Sequence, residues 1–515
     1  MRQVAVAALL AAVVAAGVHW GTFVAGGSDS YCYAHQAERW ASGRLQEAEP
    51  LALEAPWPEA PRTFAPAGHA PSQTVPGAIV PICPAGLSMA MVPFLLLGGR
   101  DAIFLVVPLF GALLVGATFV LGSRYGARIG VVSALVVACS PAFLFQLMQP
   151  MSDVPAAALW VAAVAAATGM KPRAPLLAGL AAGAAIVMRP NLVPLGVPIG
   201  LFLLFRDERT WPERLRAAGT YATCCVAGCV TVALVQNAYY GTPFSSGYGP
   251  LDALFSIDHI QPNARRYLAW MTQTQTPAWL LAGLAPLLLP GGLSALLAVM
   301  AGVTVACYLP YTVFDDWSYL RFLLPAIPLL LVLMVASVDA ACRRAVSRWT
   351  GRPAASPALV RGCGIALVVL GTGLAVAGLA QARDRQVFRL HLLEARCARA
   401  GLFVARRLPQ QSLVVTSWES GSVRFYSGRR TLAWDQLDPA WLDRALLFGR
   451  QRGLEPFLLL ERWEEPLFRA RFAGSEIGRL DWPPMAEIGG RVRVYRPDDR
   501  NRYLRGEMSP TEYAR

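Results

Sequence analysis

Two aspartates stand where long apolar runs end, a place where a carboxylate is costly unless it has a task. Asp29 follows the run Val4–Val24 within Gly26-Gly27-Ser28-Asp29-Ser30-Tyr31-Cys32-Tyr33. Asp153 closes Met148-Gln149-Pro150-Met151-Ser152-Asp153, directly before Val154-Pro155. Carboxylates so placed serve as helix caps, as a general base on a hydroxyl, or as a pair of metal or water ligands. An N-cap role for Asp153 follows from its position alone. Asp29, with Ser28 as N-cap, heads a second helix that Gly43 stops. A free aspartate near pKa 3.9 is a weak base, and partial burial would strengthen it.

Arginines supply the complementary chemistry. Arg321 lies in Trp317-Ser318-Tyr319-Leu320-Arg321-Phe322-Leu323-Leu324-Pro325, Arg189 in Met188-Arg189-Pro190-Asn191, and Arg265-Arg266 beside Tyr267 and Trp270. A guanidinium fork matches phosphate oxygens, so a lipid phosphate is the natural partner; the alternative is snorkelling to headgroups for Arg321 and the decoration of an interfacial helix for Arg265-Arg266. The ten cysteines have no zinc spacing, and Cys139, Cys224, Cys225, Cys229 and Cys307 sit in apolar runs as packing residues. Cys32 and Cys83 fall in one outer loop, which leaves a disulfide between them open.

The elements that must hold these groups are membrane spans. The chain of 515 residues is 55% hydrophobic and 15% charged, with a mean hydropathy of +0.42. Those values exclude an ordinary soluble protein. A net charge of +13 is no nucleic-acid footprint, because Lys171 is the sole lysine and the arginines fall between apolar runs or near the C-terminus. Apolar runs predict about eleven spans, near 3–25, 102–122, 129–147, 154–170, 174–189, 191–206, 217–238, 277–290, 293–312, 319–338 and 362–381. Pro286, Pro290 and Gly291-Gly292 make a tight hairpin of the pair near 277–312. With the N-terminus inside, Arg124/Arg128, Lys171/Arg173, Arg206/Arg209/Arg214/Arg216 and Arg343/Arg344/Arg348/Arg352/Arg361 all fall on the cytoplasmic side, as the positive-inside rule asks. Arg265-Arg266 is the exception.

This topology places 26–100, 148–153, 239–276 and everything past 382 outside. The helix after Ser28, with Tyr31, Ala34, Ala37, Trp40 and Ala41 recurring along it and charged Glu38, Arg39 and Arg44 between and after them, reads as lying flat in the interface. The proline-rich stretch Pro50–Pro81 reads as a covering loop with no central helix or strand. Residues 382–515 form a small α/β domain: strands at Ser412–Thr416, Pro456–Leu460 and Arg491–Tyr495, and a helix at Trp441–Arg450. Trp418-Glu419-Ser420-Gly421-Ser422 and Tyr426-Ser427-Gly428-Arg429 could line a site there, with strand and turn roles the preferred reading.

Together, Gly-Ser-Asp-Ser-Tyr-Cys-Tyr at 27–33, Pro-Ala-Gly at 84–86, Ser-Asp-Val-Pro at 152–155, Arg-Pro-Asn at 189–191 and Tyr308-Leu309-Pro310-Tyr311 followed by Trp317–Pro325 resemble the membrane glycosyltransferases of the GT-C fold. The branch they resemble is that of bacterial relatives of dolichyl-phosphate-mannose protein mannosyltransferases and aminoarabinose lipid A transferases. The resemblance covers 1–381 and implies a mainly α, polytopic plasma-membrane enzyme. It would move a sugar from a polyprenyl-phosphate donor to a lipid, glycan or protein acceptor on the extracytoplasmic face, with inversion. Asp29 matches the first-loop catalytic base and Asp153 the second acid. Arg321, with Arg265, Arg266 and Arg189, would bind the donor phosphate. The family often pairs two acids in one loop; neither aspartate here has an acidic neighbour, so a divalent metal on Asp29 and Asp153 is left open. The competing readings are a non-enzymatic transporter or assembly factor for lipid-linked sugars, and an outer-face receptor built on 382–515. Transporters place ionisable groups near the bilayer midplane, whereas these spans are nearly charge-free.

Overall fold

The computed structural model describes all residues except 1, 207–209, 352, 354–355, 508–510 and 515. Arg209 and Arg352, assigned above to inner loops, lie outside the described residues. The protein is mainly helical, with a three-stranded sheet near the N-terminus and a six-stranded sheet near the C-terminus. Each expected span overlaps helix, though α-helix stops at His19 within 3–25 and at Tyr308 within 293–312, and 129–147 is broken at 139–140. Among the described residues, three helices are long and apolar enough to cross a membrane: 100–123, Trp211–Tyr240 and Pro357–Asp384. Two bent pairs qualify as units, Ala127–Ala138 with Pro141–Leu147 (61°) and Trp317–Leu323 with Ile327–Thr350 (81°). The other apolar helices run 10–17 residues.

The bends have local causes. Ser140 is extended and its hydroxyl accepts the Phe143 N–H, while Pro141 occupies the first helical position, so a new helix starts there. In the second pair, Pro325 sits within the break and Pro328 in the first turn after it, and the segment holding Arg321 is a 3₁₀ helix turned across the end of the helix that follows. Elsewhere small residues let backbones touch. A Cβ on Gly228 would lie 2.5 Å from the Gly183 carbonyl oxygen, so helices Ala174–Met188 and Trp211–Tyr240 pack backbone to backbone.

The helix after the first apolar helix α1 (Arg2–His19) is α2 (Asp29–Ala41). It does not lie on a lipid surface. Tyr31 through Ala37 are buried without interruption, which a half-exposed helix cannot achieve. It packs against helix Ala85–Gly98, the small sheet and helix Ser420–Ser427. The sheet is antiparallel, in the order β1 (Glu47–Ala48), β3 (Ala78–Pro81), β2 (His69–Pro71). The proline-rich stretch therefore does carry a central strand: β3 is fully buried, and Pro81, at its end, leaves the ladder bonds of the preceding residues intact. A Cys32–Cys83 disulfide ties α2 to the chain leaving β3.

The C-terminal sheet has the order β5 (Arg430–Leu432), β4 (Ser412–Val415), β6 (Glu455–Glu461), β8 (Val492–Tyr495), β7 (Ala486–Ile488), β9 (Glu512–Ala514). The expected strands and the helix, observed at Leu442–Gln451, are present within a residue or two at each end. This unit is joined to the rest by a buried polar network. His35 Nδ1 and His69 Nε2 lie 2.8 Å apart, and His35 Nε2 lies 2.8 Å from Glu47. Arg424 reaches Glu47 (3.5 Å) and Glu49 (3.0 Å) and donates to the Phe64 carbonyl (2.7 Å). Burial would raise the Glu47 carboxyl, but the hydrogen bond from His35 and the Arg424 charge outweigh it and hold it down at about 2.

Candidate active site at the head of the second helix

A cavity of about 850 Å³ opens beside the N-terminus of α2. Its wall includes Gly26–Ser30 and Tyr33, the Met151-Ser152 turn, Arg189, Tyr248, Tyr308 and Tyr311, and the Ser318–Phe322 segment carrying Arg321. Asp29 and Tyr33 share one face of α2, four residues apart. Ser28 precedes the helix in helical conformation and its side chain makes no cap bond, so the first turn leaves amide donors directed toward the cavity end.

Arg321 Nη1 lies 3.3 Å from Asp29 Oδ2 and 3.4 Å from Met151 Sδ. Side-chain exposure is 17% for Arg321 and 32% for Asp29, so the pair is sheltered yet open to the cavity. The Arg321 Nε is buried and has no hydrogen-bond partner among the described residues. The guanidinium carbon sits 5.1 Å from the Tyr319 ring centre and 5.3 Å from that of Phe322. The segment turned by the 81° bend aims this charge inward and keeps it from snorkelling.

A second ion pair stands behind the first. Arg189 Nη2 donates to Asp153 Oδ1 (2.7 Å), Nη1 to the Tyr308 hydroxyl (3.0 Å) and Nε to Ser152 Oγ (3.3 Å). Its guanidinium carbon is 5.6 Å from the Phe322 ring centre. Tyr33 donates to the same Ser152 oxygen (2.8 Å), which links α2 to this pair. Asp153 is the first residue of helix Asp153–Ala167 rather than its N-cap, which is Ser152. It is buried and does not line the cavity.

The sequence-derived candidates thus separate. Asp29, Arg321 and Arg189 come together on the cavity wall. Arg265 is exposed and Arg266 pairs with Asp315; neither lines the cavity, because helix Ile260–Gln275 presents Tyr267 and Trp270 inward and turns the arginines out. Asp29 and Asp153 each face their own guanidinium, and no group of three His, Cys, Asp or Glu side chains is gathered for a cation among the described residues. Two carboxylates already neutralised by arginine fit a divalent ion poorly.

Sequence reasoning set the C-terminal stretches apart as a separate site within 382–515 and preferred strand and turn roles for them, whereas Ser420–Ser427 is a helix and the region reaches the Asp29 cavity. Trp418, expected in a strand or turn, lines the cavity together with Glu394. The Ala25 N–H donates to the Tyr426 hydroxyl (3.0 Å), and the Ala67 N–H to Ser420 Oγ (2.9 Å). A Cβ on Gly26 would lie 2.8 Å from Cys397 Sγ, so only glycine lets the loop before Asp29 seat so closely against helix Leu390–Arg407. A usable signal was the pair of glycines, Gly26-Gly27, just before the acid.

Residues 88–235 match the family model of dolichyl-phosphate-mannose-protein mannosyltransferases. No curated protein sequence matches the chain. Among solved structures, the chain is similar to ArnT from Cupriavidus metallidurans bound to undecaprenyl phosphate, at 15% identity and a TM-score of 0.57, over 96% of this chain and 97% of that one. It is also similar to the oligosaccharyltransferase AglB from Archaeoglobus fulgidus in complex with an inhibitory peptide and a dolichol-phosphate, at 11% identity and a TM-score of 0.53, over 90% of this chain and 70% of that one. The chain shares the fold of these two solved structures along nearly its whole length, and its segment 88–235 is similar to the protein mannosyltransferase family model.

Proposed function

We propose that this protein transfers a sugar from a polyprenyl-phosphate donor to an acceptor hydroxyl at the extracytoplasmic face of the plasma membrane, with inversion at the anomeric carbon. The observation that carries the proposal is the meeting of Asp29 and Arg321 in one sheltered cavity. The donor's phosphate would bind the Arg321 guanidinium, drawing it from Asp29 and leaving that carboxylate free to accept a proton. The acceptor oxygen then loses its proton to Asp29 and attacks the anomeric carbon from the face opposite the phosphate. The bond from that carbon to the phosphate oxygen breaks, and the polyprenyl phosphate departs with the electron pair, its charge held by Arg321. One such donor in a dry site is worth about 3–4 kcal/mol.

Arg189, held by Asp153, Tyr308 and Ser152, is the candidate for a second phosphate contact. Arg265 and Arg266 are left out of this role. The topology that goes with the proposal has about eleven spans, a cytoplasmic N-terminus and an extracytoplasmic α/β domain over 382–515. The test is incubation of purified protein with labelled polyprenyl-phosphate sugars and a cell-envelope extract that supplies hydroxyl acceptors. Time-dependent release of polyprenyl phosphate supports the reading; no release from any donor, in protein that still binds undecaprenyl phosphate, contradicts it.

A further inference from the structure

Among the described residues beyond position 381, two line the cavity, Glu394 and Trp418. Both stand beside the loop that leads into Asp29. A Cβ on Gly27 would lie 3.6 Å from the Trp418 ring, and Gly26 packs on Cys397, one helical turn beyond Glu394. Trp418 remains 39% exposed although its backbone is fixed: its N–H donates to buried Glu464 (3.2 Å), and its ring stands edge-on to Trp463 with centres 6.0 Å apart. Glu394 accepts from Arg396 (3.2 Å) and keeps 31% of its side chain exposed. A rigid, half-exposed indole and a partly exposed carboxylate that line one cavity with a candidate base are groups that can take a hydroxylated ring: the ring's C–H face lies on the indole, and its hydroxyls donate to the carboxylate.

Building on the glycosyl-transfer reading, we infer that Trp418 and Glu394 form a saccharide-binding subsite that seats a sugar ring of the acceptor, so that one of its hydroxyls is presented to Asp29. The C-terminal region is then the acceptor-selecting wall of the site, and Glu464 is a positioning residue that fixes Trp418 through its backbone.

The test uses the full-length protein in nanodiscs and two probes. Saturation-transfer-difference NMR with methyl β-D-glucopyranoside reads the subsite, and native mass spectrometry with undecaprenyl phosphate reads the donor site. The expected result is saturation of ring protons in the wild type, weakened about tenfold in Trp418→Ala, restored in Trp418→Phe and reduced in Glu394→Gln, with undecaprenyl phosphate bound by all four proteins. No ring-proton saturation in a wild type that binds undecaprenyl phosphate would overturn the subsite and leave the transfer reading standing. Failure of the wild type to bind undecaprenyl phosphate would instead count against the transfer reading. Displacement of the glycoside by a polyprenyl-phosphate sugar, but not by undecaprenyl phosphate, would assign the subsite to the donor's sugar and overturn the acceptor assignment.

Discussion

A guanidinium 3.3 Å from a carboxylate, both partly sheltered, is a resting state that a phosphate can exchange into. Asp29 and Arg321 can be picked out of the sequence because each breaks an apolar run at its end. Their meeting cannot, since 292 residues separate them. Arg265 and Arg266 mislead for the reciprocal reason: a basic pair beside aromatic residues signals phosphate only if its helix face turns toward a cavity, and here it turns away. Replacing Arg321 by Ala should lower turnover about 10²–10³-fold and weaken binding of undecaprenyl phosphate, measured on detergent-purified protein. An unchanged turnover would remove Arg321 from the chemistry. Arg189→Ala tests the pair behind it. It strands the buried Asp153 carboxylate, so a stability loss of about 3–5 kcal/mol is expected in chemical denaturation, and Asp153→Asn in the same background should recover much of it.

At the scale of elements, the short sheet and the bent 3₁₀ segment do the positioning. Helical periodicity exposes α2 to sequence reading, but its flat interfacial placement does not hold, because a pattern of small and aromatic residues suits burial between protein surfaces as well as it suits a lipid interface. β3 is hidden by the prolines around it. The Cys32–Cys83 disulfide closes a loop with a sequence separation of 51, which constrains the unfolded chain and ties α2 just behind Asp29. Cys32→Ser should therefore lower stability by about 2–4 kcal/mol in denaturant titration, and dithiothreitol should reproduce the loss in the wild type but not in the variant.

Across the whole molecule, the C-terminal region supplies part of the cavity wall and packs on the Asp29 loop through Tyr426, Trp418 and Cys397. Its strands are legible because alternating and apolar runs bounded by turn residues survive any context; its docking is not, because contacts across hundreds of residues leave no local trace. The docked interior carries a pH signature. Burial pushes the Glu419 carboxyl up to about 8 and the Glu464 carboxyl up to about 7, from a usual value near 4.5. In that window the folded chain keeps protons that the unfolded chain has lost, so their contribution to stability is fully present below about 4.5 and is lost as pH rises toward about 8. A Tm roughly 5 °C lower at pH 8.5 than at pH 6 is expected, and Glu419→Gln should flatten that slope. A Tm that climbs over this range in the wild type would contradict it.

At the centre of the proposed reaction, Asp29 accepts the acceptor's proton in a cavity where Arg321 holds the lipid phosphate. Single-turnover release of polyprenyl phosphate from a labelled polyprenyl-phosphate sugar, compared between wild type and Asp29→Asn at equal membrane expression, tests this most directly. A rate lowered about 10²–10⁴-fold, with undecaprenyl phosphate still bound, is the predicted result; an Asp29→Asn variant that turns over its donor at the wild-type rate would contradict it.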